Sequence, residues 1–177
     1  MIRLVLAVLL TAALLGASLP AVEEGRGSRT DTLVGAELTR FERVATALRQ
    51  SNDPVSLGDG GARRLVTLRV PGASWTSARA TVALGGAAGQ TDRLGWSRGG
   101  TTRSRRLPVD LRVVADGSLR PDGTPLELGP GRHRLALGLV RVDGRAVVTV
   151  RRFKRWNGMT PTHVHRPRLH VRAPVRG

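Results

Sequence analysis

The sequence predicts a mostly β protein led by helices: an N-terminal apolar helix, an amphipathic helix, then an antiparallel sheet or sandwich of six to seven strands. Three observations carry this. Leu4–Val22 is a run of 19 residues with nothing more polar than Thr11 and Ser18. Val34, Leu38, Phe41, Ala45 and Leu48 recur at spacings of 4, 3, 4 and 3, which is one face of an α-helix. Beyond residue 60 the chain breaks into short alternating runs divided by Gly, Pro and Asp, the pattern of strands and turns.

The apolar run comes first. As a helix it reaches roughly 28 Å, close to the hydrocarbon thickness of a bilayer. Leu4, Val5, Leu6, Val8, Leu9, Leu10, Leu14 and Leu15 are its bulky members and form the candidate membrane anchor. Arg3 is the only charge before Glu23, and a positive residue ahead of an apolar run also fits a secretory signal. Cleavage needs small residues, which Gly16-Ala17-Ser18 and, less well, Leu19-Pro20-Ala21 offer. Leu, Val and Ala fill the run up to both sites, which favours a retained anchor over residues 1–22.

Gly25-Arg26-Gly27-Ser28 predicts a helix break, making 23–30 a linker. Asp31 is placed to cap a new helix, which runs over 31–50 and stops at Ser51-Asn52-Asp53-Pro54. Its stripe, Val34 to Leu48, suits either a partner helix or the domain's own sheet. The second is the ordinary use.

The β domain is expected over 60–156. Arg64, Val66, Leu68 and Val70 share one face and end at Pro71-Gly72. Ala78, Ala80, Val82 and Leu84 alternate and end at Gly85-Gly86. Leu94 and Trp96, then Val109, Leu111 and Val113, mark further strands, the last ending in a turn at Asp116-Gly117. The strongest local signal is HRLALGLVRVDGRAVVTVRRF. Its Asp143-Gly144 is the two-residue turn preferred in tight hairpins, because both residue types tolerate positive φ. Residues 157–177 read as a basic tail interrupted by Pro161, Pro167 and Pro174.

Charge is divided along the chain. Residues 1–62 hold six Arg against seven carboxylates, while 63–177 hold 23 basic residues against six acidic ones. Such an excess attracts anionic surfaces. Arg151, Arg152, Lys154, Arg155, Trp156, Arg166 and Arg168 are the candidate contacts for an anionic partner, with stacking and charge combined in RRFKRW. An acidic glycan, lipid headgroup or acidic protein suits this surface better than nucleic acid, since Phe153, Trp96 and Trp156 are the only plausible stacking platforms. The chain has no Cys, so its stability rests on packing, and thiolate metal sites are excluded.

Catalytic patterns are weak. Gly95-Trp96-Ser97-Arg98-Gly99 matches G-x-S-x-G, but GTTRSRR follows it, with no helical stripe to form the strand-to-helix elbow that activates the serine. His163, His165 and His170 resemble metal ligands, yet the arginines around them repel a cation. Gly85-Gly86 and Gly99-Gly100 do not precede helices, so they are not phosphate loops. The residues point to no enzyme and imply no cofactor.

The run Leu4–Leu19, Pro20 and the stripe Val34–Leu48 together resemble the layout of type IV pilins and pseudopilins. In those families the apolar helix sits in the membrane before assembly and in the filament core afterwards, with the β domain outside. ALLGASLPAVEEGR and DGRAVVTVRRFK are also similar to a haloarchaeal family of exported proteins, which tend to be encoded beside pilus-type secretion ATPases. The resemblance implies an accessory or structural part of a pilus-like surface system, in the cell membrane or outside it. Its partners would be the membrane, other subunits and anionic envelope polymers. Two features depart from that pattern. Only Met1-Ile2-Arg3 precedes the apolar run, with no acid before Glu23, where pilin precursors carry a charged leader and an early Glu. The basic charge also differs from the acidic surfaces of extreme halophiles, and suits an accessory subunit with acidic neighbours.

Overall fold

The computed structural model describes residues 2–86 and 90–153. One helix, α1 (Ile2–Gln50), precedes nine strands: β1 (Arg63–Val70), β2 (Thr81–Leu84), β3 (Arg93–Arg98), β4 (Thr101–Arg106), β5 (Leu111–Ala115), β6 (Ser118–Leu119), β7 (Leu126–Leu128), β8 (Gly131–Val142) and β9 (Arg145–Arg152). The protein is mostly β after its helix, as the patterning predicts. The strands form a five-stranded sheet in the order β1-β8-β9-β5-β6 and a four-stranded sheet in the order β4-β3-β2-β7.

The predicted turns close the predicted hairpins. Asp143 and Gly144 have φ of 49° and 77° between β8 and β9, and Asp116 and Gly117 have 52° and 82° between β5 and β6. Positive φ at both positions gives the turn twist that matches paired strands. Leu111 to Val113 run parallel to Val148–Val150, whereas the other strand pairs are antiparallel. The five-stranded sheet is therefore mixed rather than purely antiparallel, and the described residues form nine strands where six or seven are expected. The extra ones, such as β6 and β7, are two or three residues long, too short to show alternation.

The largest correction concerns residues 23–30. They are not a linker, because α1 continues through Gly25, Gly27 and Ser28 without a break. Asp31 caps nothing and lies inside the helix. The helix also passes through Pro20, whose ring removes one backbone hydrogen bond. The predicted end is right: Ser51 N donates to Ala47 O, and Asn52 Nδ2 donates to Leu48 O at 3.0 Å.

The core joins α1 to both sheets. Val34, Leu38, Phe41, Ala45 and Leu48 are each at most 1% exposed. They pack with Val66 and Leu68 of β1, Val82 of β2, Leu94 of β3, Leu111 of β5 and Leu137 of β8. This stripe is therefore consumed inside its own domain and offers no apolar face to a partner helix. Burial of each large apolar side chain contributes roughly 1.5–3 kcal/mol.

Candidate anchor and the polar collar at its foot

Above the core the same helix has no neighbours among the described residues. Leu4, Val5, Leu6, Val8, Leu9, Leu10, Leu14 and Leu15 are 57–74% exposed, on all sides of the helix. Residues 2–50 include a stretch long and apolar enough to cross a membrane. Eight such side chains left in water forfeit on the order of 10 kcal/mol, comparable with the whole stability of a domain. The segment therefore calls for an apolar surrounding that the described residues do not supply.

Between the bare half and the packed half lies a collar of polar contacts. Thr30 is fully buried. Its Oγ1 accepts from Ala78 N at 2.8 Å and donates to Arg26 O at 2.9 Å. One turn earlier, Arg26 donates to the carbonyl of Ser74 and pairs with Glu23. One residue after Thr30, Asp31 receives Trp96 Nε1 at 3.2 Å on Oδ1 and Arg98 Nη2 at 3.2 Å on Oδ2. Arg103 Nη2 lies 3.4 Å from the same Oδ2.

Gly27 makes this possible. A Cβ there would lie 2.2 Å from Arg98 Nη1, so the guanidinium crosses the helix where a side chain is missing. Farther down, Arg105 pairs with Glu42 and donates to Thr39 Oγ1 at 2.8 Å. The β3–β4 hairpin thus grips α1 with three arginines. The Asp31 side chain is only 14% exposed. Burial by itself raises its pKa, but hydrogen bonds from Arg98 and Trp96 and the charges of Arg98 and Arg103 outweigh that, holding the carboxyl below its ordinary 3.8.

The sequence does not reveal these collar partners, although one signal was present. The buried positions of α1 are Gly27, Thr30, Val34, Leu38, Phe41, Ala45 and Leu48, so the helical stripe extends upstream through small residues that a hydrophobicity reading skips.

The anionic-contact candidates separate. Arg151 is exposed and stands opposite Ala136 on the outer face of the five-stranded sheet. Arg152 donates instead to Glu127 O of β7. Lys154, Arg155, Trp156, Arg166 and Arg168 lie outside the described residues, as do His163, His165 and His170. On the outer face Arg151 is accompanied by Arg63, Arg69, Arg132, Arg134 and Arg145. Among the described residues none of these six has a carboxylate partner, whereas Arg98, Arg103, Arg105, Arg106 and Arg112 all do. Arg134 lies over the Phe153 ring, 5.1 Å from its centre. Ser97 sits on β3 opposite Thr81 and Thr102, and a β-hairpin follows it rather than a helix, so the G-x-S-x-G match is not a nucleophile elbow.

These parts define a class: a β domain built around the lower half of a helix whose upper half is bare and apolar. The family model described as "Domain of unknown function (DUF7311)" matches residues 1–153, and the chain belongs to that family. Comparison with curated proteins and with solved structures finds no match.

Proposed function

We propose that the protein is a non-enzymatic, membrane-tethered subunit of a pilus-like surface or secretion assembly, with its β domain on the outer side of the membrane. The single observation behind this is α1 itself, one helix that is bare over its first half and forms the domain core over its second. Retention keeps this helix whole, whereas cleavage after Ser18 or Ala21 would remove the bare half and leave the collar near the start of the helix. In a pilin-like assembly the same geometry has a use: the bare half lies in lipid until it packs against the bare halves of other subunits.

The test combines extraction with cross-linking. Alkaline carbonate should leave the full-length chain in the membrane pellet, and external protease should digest the domain on intact cells. The chain lacks cysteine, so Leu10→Cys introduces one defined thiol. Oxidation should give disulfide-linked dimers through the anchor if subunits pack helix to helix. Carbonate release of the intact chain rejects the anchor. Monomers only, from a retained chain, reject the assembly while keeping the anchor.

A second reading, a secreted basic module that holds an anionic polymer, rests on the outer face. Arg69 and Arg132 are directly opposed across β1 and β8, an arrangement that costs stability unless an anion lies between them. Binding of an acidic glycan or DNA should fall steeply with salt and weaken in Arg69→Gln. Salt-independent binding removes this reading.

A further inference from the structure

Trp75 is 87% exposed, more than any other large hydrophobic side chain among the described residues. Isolated exposed apolar residues are common and need no explanation. This one is different because it is held out. Ser74 Oγ accepts from Thr76 N at 3.2 Å and from Ser77 N at 3.0 Å, and Ser77 Oγ donates to Gly72 O at 2.9 Å. Ser74 N closes the turn on Ser77 O at 2.8 Å. The indole stands on the crest of a turn that bonds to itself.

The position of that crest is set by two contacts with α1. Ala78 N binds the short Thr30 side chain, and Ser74 O binds the guanidinium of Arg26, one turn nearer the apolar half. From Ala78 back to Ser74 the loop therefore runs toward that half, and Arg26 itself stands four residues, about 6 Å along the axis, from Val22, the last residue of the apolar run. That gap is where the headgroup layer lies if Leu4–Val22 spans the hydrocarbon. Two exposed carboxylates, Glu23 and Glu24, also lie in that gap, Glu23 paired with Arg26, but four arginines around the turn outnumber them. Arg29 on the helix and Arg79 at the loop's end are exposed, and so are Arg69 and Arg132 on the strand ends that flank the loop.

We infer that the Pro71–Ser77 turn is a lipid-binding element, with Trp75 in the headgroup layer of the bilayer that holds α1 and the neighbouring arginines facing anionic lipid phosphates. Indole rings favour that layer because an apolar body and one N–H donor meet a boundary between oil and water. The seat gives the domain a second point of attachment and fixes its tilt on the membrane. It depends on the anchored reading above, and its failure can be told apart from the failure of the anchor.

The experiment uses the full chain in vesicles of phosphatidylcholine and phosphatidylglycerol, with bromine placed on the acyl carbons nearest the headgroup. Tryptophan quenching is compared with that of Trp75→Phe, and flotation reports attachment. Both chains should float, and Trp75→Phe should lose the quenchable component that the parent shows. In vesicles of phosphatidylcholine alone that component should shrink. Equal quenching of two floating chains overturns the lipid seat and leaves the anchor standing. Blue-shifted Trp75 emission that bromolipid does not quench also overturns it, because protein then covers the ring. Failure of the parent chain to float overturns anchor and seat together.

Discussion

The two halves of α1 differ in one respect that explains most of the molecule. The lower half, from Thr30 to Leu48, concentrates its apolar residues on one stripe and buries that stripe, leaving only Leu33 of its large apolar side chains exposed, at 44%. The upper half, from Ile2 to Val22, carries apolar residues on every side and buries none. Helix geometry is shared, so the distribution of apolar residues alone decides what each half can pack against. A stripe is satisfied by one sheet surface. A fully apolar cylinder is satisfied only by surroundings on every side, which lipid or a bundle of like helices supplies. The collar at 23–31 is where one solvent requirement gives way to the other.

The sharpest way to break this comparison is to delete the same chemical group from each half. Phe41→Ala or Leu38→Ala empties part of the core and should cost about 3–5 kcal/mol in chemical denaturation of the full chain in detergent. Leu10→Ala, at a position 61% exposed, should leave that unfolding midpoint unchanged. A large loss at Leu10 would mean that the upper half contributes to the domain fold, and the division of the helix would fail.

Next in size is the collar. Asp31→Asn keeps the shape but removes the charge that Arg98 and Arg103 face, and charge-assisted hydrogen bonds of this type contribute roughly 1.5–3 kcal/mol. The pH dependence follows from the direction of the Asp31 shift. Its folded pKa is lowered, so its contribution is present above the unfolded value of about 3.9. It is lost as pH falls through the folded value. Asp31→Asn should be less stable than the parent near neutrality, and the difference should close in acid. A gap that stays constant down to about pH 2 would show that Asp31 acts by shape and not by charge.

This collar also marks the limit of what the sequence made legible. Periodicity found the stripe from Val34 to Leu48, and turn chemistry found Asp143-Gly144 and Asp116-Gly117, because those signals are local. The break predicted at Gly25–Ser28 was also a local inference, and it lost to contacts from far along the chain. Each helical Gly costs up to about 1 kcal/mol against Ala. The bonds from Ala78 to Thr30, from Arg26 to Ser74 and from Arg98 to Asp31 outweigh that cost, and nothing in residues 23–30 announces their partners. Pairing of β5 beside β9 was hidden for the same reason, since register between distant strands leaves no mark on either strand alone. Of the anchor, the sequence showed everything that composition can show. Of the site at its foot it showed Asp31 as a helix cap and Trp96 as a strand residue, and neither as a partner of the other.

The smallest expected effect separates two glycines that the sequence treats alike. Gly25 is exposed and a Cβ there meets nothing within 4 Å, whereas at Gly27 it meets the Arg98 guanidinium. Neither has positive φ, so Ala suits the backbone at both. Gly25→Ala should therefore stabilise the domain by about 0.5–1 kcal/mol through helix propensity alone. Gly27→Ala gains the same propensity but displaces Arg98 from Asp31, losing a charge-assisted contact of roughly 1.5–3 kcal/mol, so its net effect should be a modest destabilisation. The difference between the paired variants measures the grip of Arg98 on the helix, free of propensity. In an Asp31→Asn background much of that difference should vanish, because the guanidinium then has less to lose. Equal stabilisation by both alanines in the parent chain would show that Arg98 can move aside without loss and that Gly27 is not what admits it.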